Sequence, residues 1–246
     1  MMISLKELFH INKGDIISIV GTGGKTSLMF KLANELKSDL NVLVSTSTKI
    51  KIPSPDKYNY LYTNIDSYLN NIRASKNGLT VISKGINEKT NKLVGINDSD
   101  LDLLIPYFDI IFLEADGSKE LPLKGWKSHE PPVLRKTSKT IGVMPANLIN
   151  KKAEKHLIYG LEEFNKLTDN SEYVNFEVIK KICTNKEGIF KNSKGNLYLF
   201  FNKAETKKEI ELMRELSKYL KVSVVNKPLS FNICFGSLKK GVFYGY

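Results

Sequence analysis

The sequence predicts an α/β fold built on a doubly wound, mainly parallel sheet with a small helical insertion. Three observations carry that prediction. Apolar, β-branched runs alternate with stretches whose hydrophobic residues recur at helical spacing, as strands joined by crossover helices require. A glycine-rich segment ends the first such run and opens the first long helix. A later run, Ile110-Ile111-Phe112-Leu113, is too uniformly apolar for a strand with one wet face, so it belongs in a sheet covered on both sides. Residues 1–246 read as a single domain of this kind, with residues 147–195 as the helical insertion or subdomain.

The elements follow in order. Ile16-Ile17-Ser18-Ile19-Val20 is a β-branched strand ended by glycine. Leu28, Phe30, Leu32, Ala33 and Leu36 then mark a helix, and Asn41-Val42-Leu43-Val44-Ser45 a second strand, completing a β–loop–α–β unit. Pro53 and Pro55 open an irregular stretch. Residues 59–63 predict a short strand, 66–75 a helix, 79–83 a strand, and 88–91 the turn of a hairpin excursion. Ser99 predicts an N-cap for a helix over 100–107, with acids in its first turn. After the buried strand at 110–113, residues 115–138 are rich in Gly, Pro and Lys and show no periodicity. Connections of that length are usually functional or disordered. Residues 140–144 predict a strand, 151–190 mainly helix, and 197–201 a late strand. An amphipathic helix over 206–220 and a further strand over 222–225 complete the pattern.

At 246 residues, with 41% hydrophobic and 26% charged side chains, the composition is globular and excludes collagen-like, fibrous and disordered chains. Two cysteines, Cys183 and Cys234, form no CxxC pair, which argues against a disulfide framework or structural zinc and fits a reducing cytosol. Lys6, Glu7 and His10 stand where a signal peptide needs apolar residues, and no segment approaches the roughly 18 apolar residues of a spanning helix. The expectation is a cytoplasmic protein with no membrane association. The net charge of +11 raises a nucleic-acid reading. Only Arg73, Arg135 and Arg214 are arginines, however, and the lysines occur singly or as doublets, so a solvated lysine surface is expected rather than a nucleic-acid partner.

The strongest local signal is Gly21-Thr22-Gly23-Gly24-Lys25-Thr26-Ser27 between strand and helix. Glycines let successive amides converge on phosphate oxygens, a lysine meets the β/γ charge, a hydroxyl holds Mg²⁺, and the helix N-terminus adds a positive end. Lys25 and Thr26 take the last positions of GxxxxGK[ST], but Ile19 stands where the first glycine belongs. The segment resembles the shorter GTxGKT loop of Mur-ligase-type ATP enzymes. Gly21 through Ser27 are therefore the expected nucleotide-binding residues of a P-loop NTPase-like fold.

Glu114 ends the strand over 110–113, and Asp116 follows two residues later. An acid at the end of a neighbouring strand can hold Mg²⁺ together with Thr26. Period two puts Glu114 and Asp116 on one side if the chain stays extended, so both are candidate metal ligands and catalytic groups. Lys124 is a candidate for neutralising phosphate charge or binding an anionic substrate, and His129 for proton transfer. Trp126 suits stacking on a ring or packing within the loop.

Leu113-Glu114-Ala115-Asp116-Gly117-Ser118-Lys119, Leu121-Pro122-Leu123-Lys124 and His129-Glu130-Pro131 together resemble the EADGSxxLPLKxxxxHEP signature of the YqeC-type accessory proteins. These are associated with selenium-dependent molybdenum hydroxylases. Gly23-Gly24-Lys25-Thr26 and Val44-Ser45-Thr46-Ser47-Thr48-Lys49 extend the likeness, which spans most of residues 14–145 and runs more loosely to Asn202. The resemblance implies a nucleotide-dependent role, with ATP or GTP and Mg²⁺, in making or inserting a selenium-containing molybdenum cofactor. Its partners would be the molybdenum cofactor or the hydroxylase. A nucleotide-gated chaperone for the apo-hydroxylase and a Mur-like ligase are the alternatives.

Thr48 and Lys49 follow the second strand on the same rim as the glycine segment and are candidates for the metal and the γ-phosphate. Asn202-Lys203-Ala204-Glu205 resembles the NKxD element with which GTPases read guanine, although Glu205 is one methylene longer. The GTxGKT-like loop leans toward ATP, and the two bases stay open.

Overall fold

The computed structural model describes residues 3–71, 77–224 and 230–246. α1 (Leu5–Leu8) leads to β1 (Ile16–Gly21), α2 (Lys25–Leu36) and β2 (Asn41–Thr46). β3 (Lys49–Lys51), β4 (Tyr60–Tyr62), α3 (Ile65–Leu69) and β5 (Gly78–Ile82) come next, then the hairpin of β6 (Gly85–Asn87) and β7 (Lys92–Val94). α4 (Asp98–Leu104), β8 (Ile110–Glu114), β9 (Leu123–Lys124) and β10 (Lys139–Pro145) precede β11 (Ile158–Tyr159) and the helical stretch of α5 (Leu161–Thr168) and α6 (Phe176–Thr184). β12 (Asn196–Asn202), α7 (Lys207–Val224), β13 (Asn232–Ser237) and β14 (Val242–Gly245) complete the described elements.

Nine strands form the main sheet in the order β14-β13-β12-β10-β1-β8-β2-β5-β4. Its pairings are parallel except for the antiparallel β13–β14 edge. The chain leaves β1 for β2, skipping the place that β8 later fills, and after β8 crosses to β10 on the other side of β1. That reversal is a topological switch point, and it opens a crevice beyond the C-terminal end of β1.

Strand periodicity divides the core. Ile17 and Ile19 of β1 and Val42 and Val44 of β2 pack with Leu28, Leu32, Ala33 and Leu36 of α2 on one face. On the other face Val20 joins Leu199 and Phe201 of β12 against Phe164, Leu167, Ile179, Ile182, Met213 and Leu216 of α5, α6 and α7. Leu43, Ile111 and Leu113 meet Leu101 and Leu104 of α4. Each fully buried Leu, Ile or Phe contributes about 1.5–3 kcal/mol of transfer free energy. The helical stretch around 151–190 thus shares one hydrophobic cluster with the sheet.

Several boundaries differ from the sequence reading. The α4 cap is Asn97, whose side chain accepts from the Asp100 amide while Asp100 reaches back in a capping box. Ser99 lies inside the helix. Residues 222–224, read as a strand, are the last turn of α7, because a helix already packed by Met213, Leu216 and Leu220 carries its β-branched end along. Residue 225 lies outside the described residues, as do residues 72–75 of the helix read over 66–75. The hairpin at 83–95 is present as β6 and β7, and β3 pairs with β7 to make a three-stranded antiparallel sheet. No helix among the described residues is long and apolar enough to cross a membrane. Cys183 and Cys234 are free and buried, and burial pushes both thiols far up, away from reactivity.

Asp15, just before β1, ties the opposite end of the sheet. Its carboxylate is paired with Lys139 and accepts from Ser138 Oγ at 2.8 Å and the Asn12 amide at 2.8 Å. Burial works to raise its pKa, but the bonds from Lys139, Asn12 and Ser138 outweigh burial and hold it below the usual carboxylate range. A depressed folded pKa gives stability that is present above the unfolded value of about 3.9 and lost as pH falls through the folded one. Asp15→Asn is therefore expected to flatten the loss of urea resistance below about pH 4. Parallel acid profiles for the two proteins would reject this assignment.

Candidate functional site

The glycine segment turns sharply where the switch point opens. Gly21 has φ 92°, and a Cβ there would lie 2.3 Å from the Val143 carbonyl oxygen of β10. Gly24 has φ 133°, and its Cβ would lie 2.5 Å from Asn202 Nδ2. Side chains are thus excluded where the backbone meets the neighbouring strand ends. The Thr22 amide donates to Val143 O at 2.8 Å and its hydroxyl to Pro122 O at 2.8 Å. Beyond that point the pattern changes: the amides of Gly23, Gly24, Lys25 and Thr26 donate to no group among the described residues. The four residues line the cleft at the N-terminus of the 12-residue α2, where the helix carries its positive end.

β8 lies beside β1 with Ile19 opposite Glu114, which brings Glu114 to the level of the turn. Thr26 Oγ1 donates to Glu114 Oε2 at 2.5 Å, and Lys25 Nζ stands 3.7 Å from Glu114 Oε1. Lys25 and Glu114 are each only 6% exposed, yet both line the cleft. The Glu114 carbonyl is fixed by Thr46 Oγ1 at 2.7 Å and by the Ser47 amide at 3.1 Å. The sequence-predicted trio of Lys25, Thr26 and Glu114 is therefore assembled.

Asp116 is not beside it. β8 ends at Glu114, so strand alternation no longer governs the next two residues, and Asp116 turns beneath the loop with no exposure. It accepts from the Gly21 amide at 3.0 Å, from Trp126 Nε1 at 2.8 Å and from Lys124. Lys124 has no exposed side-chain surface, pairs with Asp116 and with Glu130 at 3.0 Å, and donates to Gly117 O at 2.5 Å. Asp116 and Lys124 thus sit behind the glycine turn rather than in the cleft, and Trp126 packs within the loop. His129 is exposed and outside the cleft lining. Sequence reasoning gave Glu130 no role of its own; its signal was its place in the His129-Glu130-Pro131 part of the signature.

The open cleft measures about 920 Å³. Lys49, Lys51, Lys57 and Lys92 line it from the wall around β3, Lys119 from the loop after β8, Lys25 and Lys31 from α2, and Lys203 and Lys239 from the ends of β12 and β13. Against these nine lysines stand Glu114, Glu120 and Glu205. Much of the excess charge expected to be spread over solvent is gathered here, and spacing along the chain carries no sign of it. Lys49 is exposed on the wall, whereas Thr48 is half-buried and outside the lining. Asn202 is buried and Lys203 exposed, and Glu205 is half-buried; all three line the cleft. Gly23, Gly24, Lys25, Thr26 and Ser27 line it as well, with Asn202 against the glycine turn.

The sequence model of a family described as YqeC protein matches residues 17–162, a span that holds the glycine turn, Glu114 and the buried Asp116–Lys124 pair. The chain is also 27% identical, over 182 residues, to a protein of Escherichia coli (strain K12) described as uncharacterized protein YqeC. That alignment covers 72% of this chain and 70% of the other.

Proposed function

The chain belongs to the YqeC protein family, and from the geometry of its cleft we propose that it binds a nucleoside triphosphate with Mg²⁺ and acts on the γ-phosphate. One observation carries this reading. Four undirected amides, a nearly buried lysine and a hydroxyl–carboxylate pair meet at one helix N-terminus, inside a cleft where lysines outnumber glutamates three to one.

The residues fit the ligand. The Gly23–Thr26 amides would hold phosphate oxygens, and Lys25 would meet the charge between the β- and γ-phosphates. Thr26 Oγ1 and the Glu114 carboxylate would hold Mg²⁺, which usually takes one or two protein oxygens and leaves the rest to phosphate and water. The metal, when bound, neutralises charge on the phosphate oxygens during transfer. Glu114 keeps the Thr26 hydroxyl oriented through their 2.5 Å bond. Asp116, Lys124 and Trp126 act from behind, fixing the turn through the Gly21 amide. Lys49 from the wall around β3 and Lys119 from the loop after β8 suit the outgoing phosphate or an anionic second ligand.

The central signature from Leu113 to Pro131 supports the accessory role that the resemblance implies, in making or inserting a selenium-containing molybdenum cofactor. The cofactor or the apo-hydroxylase would then meet the lysine wall, and the work would take place in the cytoplasm.

Calorimetric titration with Mg·ATP and Mg·GTP tests the phosphate reading. Lys25→Ala is expected to weaken the bound nucleotide roughly 10- to 100-fold, the worth of a hydrogen bond to a charged group. Equal affinity for the variant and the parent would remove the assignment.

A further inference from the structure

We infer that the part of the cleft lined by Lys203, Glu205 and Lys239 is a base subsite selective for guanine, read by the carboxylate of Glu205. The inference rests on the triphosphate reading and specifies which nucleotide it concerns.

Three carboxylates line the cleft, and two are occupied. Glu114 faces Lys25 and holds Thr26, and Glu120 is paired with Lys51. Glu205 has no cation within ion-pair distance among the described residues, in a cleft crowded with lysines. Its Oε1 accepts from Ser237 Oγ at 3.2 Å, which pins the side chain against the end of β13. Its Oε2 has no protein donor among the described residues. Lys240 Nζ is spent on the Glu205 backbone carbonyl at 2.5 Å.

The neighbouring residue ties this part of the cleft to the same site. Asn202 is buried where β12 ends; its Nδ2 donates to Gly23 O at 2.8 Å, and its Oδ1 accepts from the Leu238 amide at 3.1 Å. One side chain thus spans the glycine turn and the loop after β13. Lys203 follows with φ 67°, a reversal that turns the chain so that Ala204 is buried and Glu205 lines the cleft. The aliphatic stems of Lys203 and Lys239, with Leu238, offer apolar surface to a ring.

The chemistry of the two purines then decides. Guanine presents adjacent N1–H and N2–H donors, which a carboxylate accepts as a pair. Adenine presents an N1 lone pair there, which a carboxylate repels. A site that hydrogen-bonds one base discriminates against the analogue that leaves its charge unmatched. The glycine loop's resemblance to ATP enzymes concerns the phosphates alone and does not bear on this part of the cleft.

Titration of the full chain with Mg·GTP, Mg·ATP, Mg·ITP, Mg·XTP and inorganic triphosphate tests the inference. GTP is expected to bind about 100-fold tighter than ATP, as two charge-assisted hydrogen bonds would give, with ITP between them because it lacks the 2-amino group. Glu205→Gln is expected to invert the order of GTP and XTP, since an amide can donate to the xanthine 2-carbonyl while accepting from N1–H. That gain of XTP binding is an outcome misfolding cannot produce. Equal GTP and ATP affinities, or an unchanged GTP-to-XTP ratio in Glu205→Gln, would overturn guanine selection while leaving the phosphate reading intact. If inorganic triphosphate and every nucleotide fail to bind, both readings fall.

Discussion

Asp116→Ala is expected to lower stability by about 3–5 kcal/mol, the cost of breaking a buried ion pair by removing one partner. For a chain of 246 residues that corresponds to a fall in melting temperature of roughly 6–20 °C. The substitution leaves the Gly21 amide and the Trp126 indole N–H without their acceptor and leaves Lys124 with Glu130 and the Gly117 carbonyl. Trp126 is the chain's one tryptophan, and it is 4% exposed, so the same variant carries its own optical probe. Its emission should move to longer wavelength as water reaches the ring. Urea unfolding within 1 kcal/mol of the parent, with unmoved emission, would show that the pair does not hold the loop.

Glu114→Ala is expected to lower phosphate release from Mg·nucleotide by about 100-fold or more. The substitution removes an oxygen proposed for the metal and the acceptor that orients the Thr26 hydroxyl, and loss of a single supporting group at a metal site already costs about 10- to 100-fold. Raising the Mg²⁺ concentration should recover part of the rate, because the variant still has Thr26. A rate equal to the parent's at limiting Mg²⁺ would exclude Glu114 from the metal's surroundings. A deficit that Mg²⁺ does not touch would assign Glu114 to holding Lys25 and Thr26 in place.

The sheet and the glycine turn were legible in the sequence because both depend on local chemistry. Ile16-Ile17-Ser18-Ile19-Val20 is a strand by its own composition, and Gly21 and Gly24 stand where a Cβ would meet Val143 and Asn202. Glu114 was legible because a strand end fixes its residue's height on the rim. Asp116 was not, since alternation carries a side only while the strand lasts. The last turn of α7 looked like a strand because valines favour one, but packing of the preceding helix overrode propensity. β13 went unread because Asn232-Ile233-Cys234-Phe235-Gly236-Ser237 is short and interrupted by glycine, and its partner β12 lies thirty residues upstream. The lysine lining was the least legible feature. Nine residues scattered from Lys25 to Lys239 become neighbours only through tertiary structure.

That lining has a consequence for the protein before any ligand arrives. Like charges held around an open groove push against one another, and that repulsion works against the packing of the core. Any polyanion that settles between them relaxes it, and dissolved salt does so in part by screening. The melting temperature of this protein is then expected to depend on its counter-ions, standing higher in phosphate than in a zwitterionic buffer of low ionic strength.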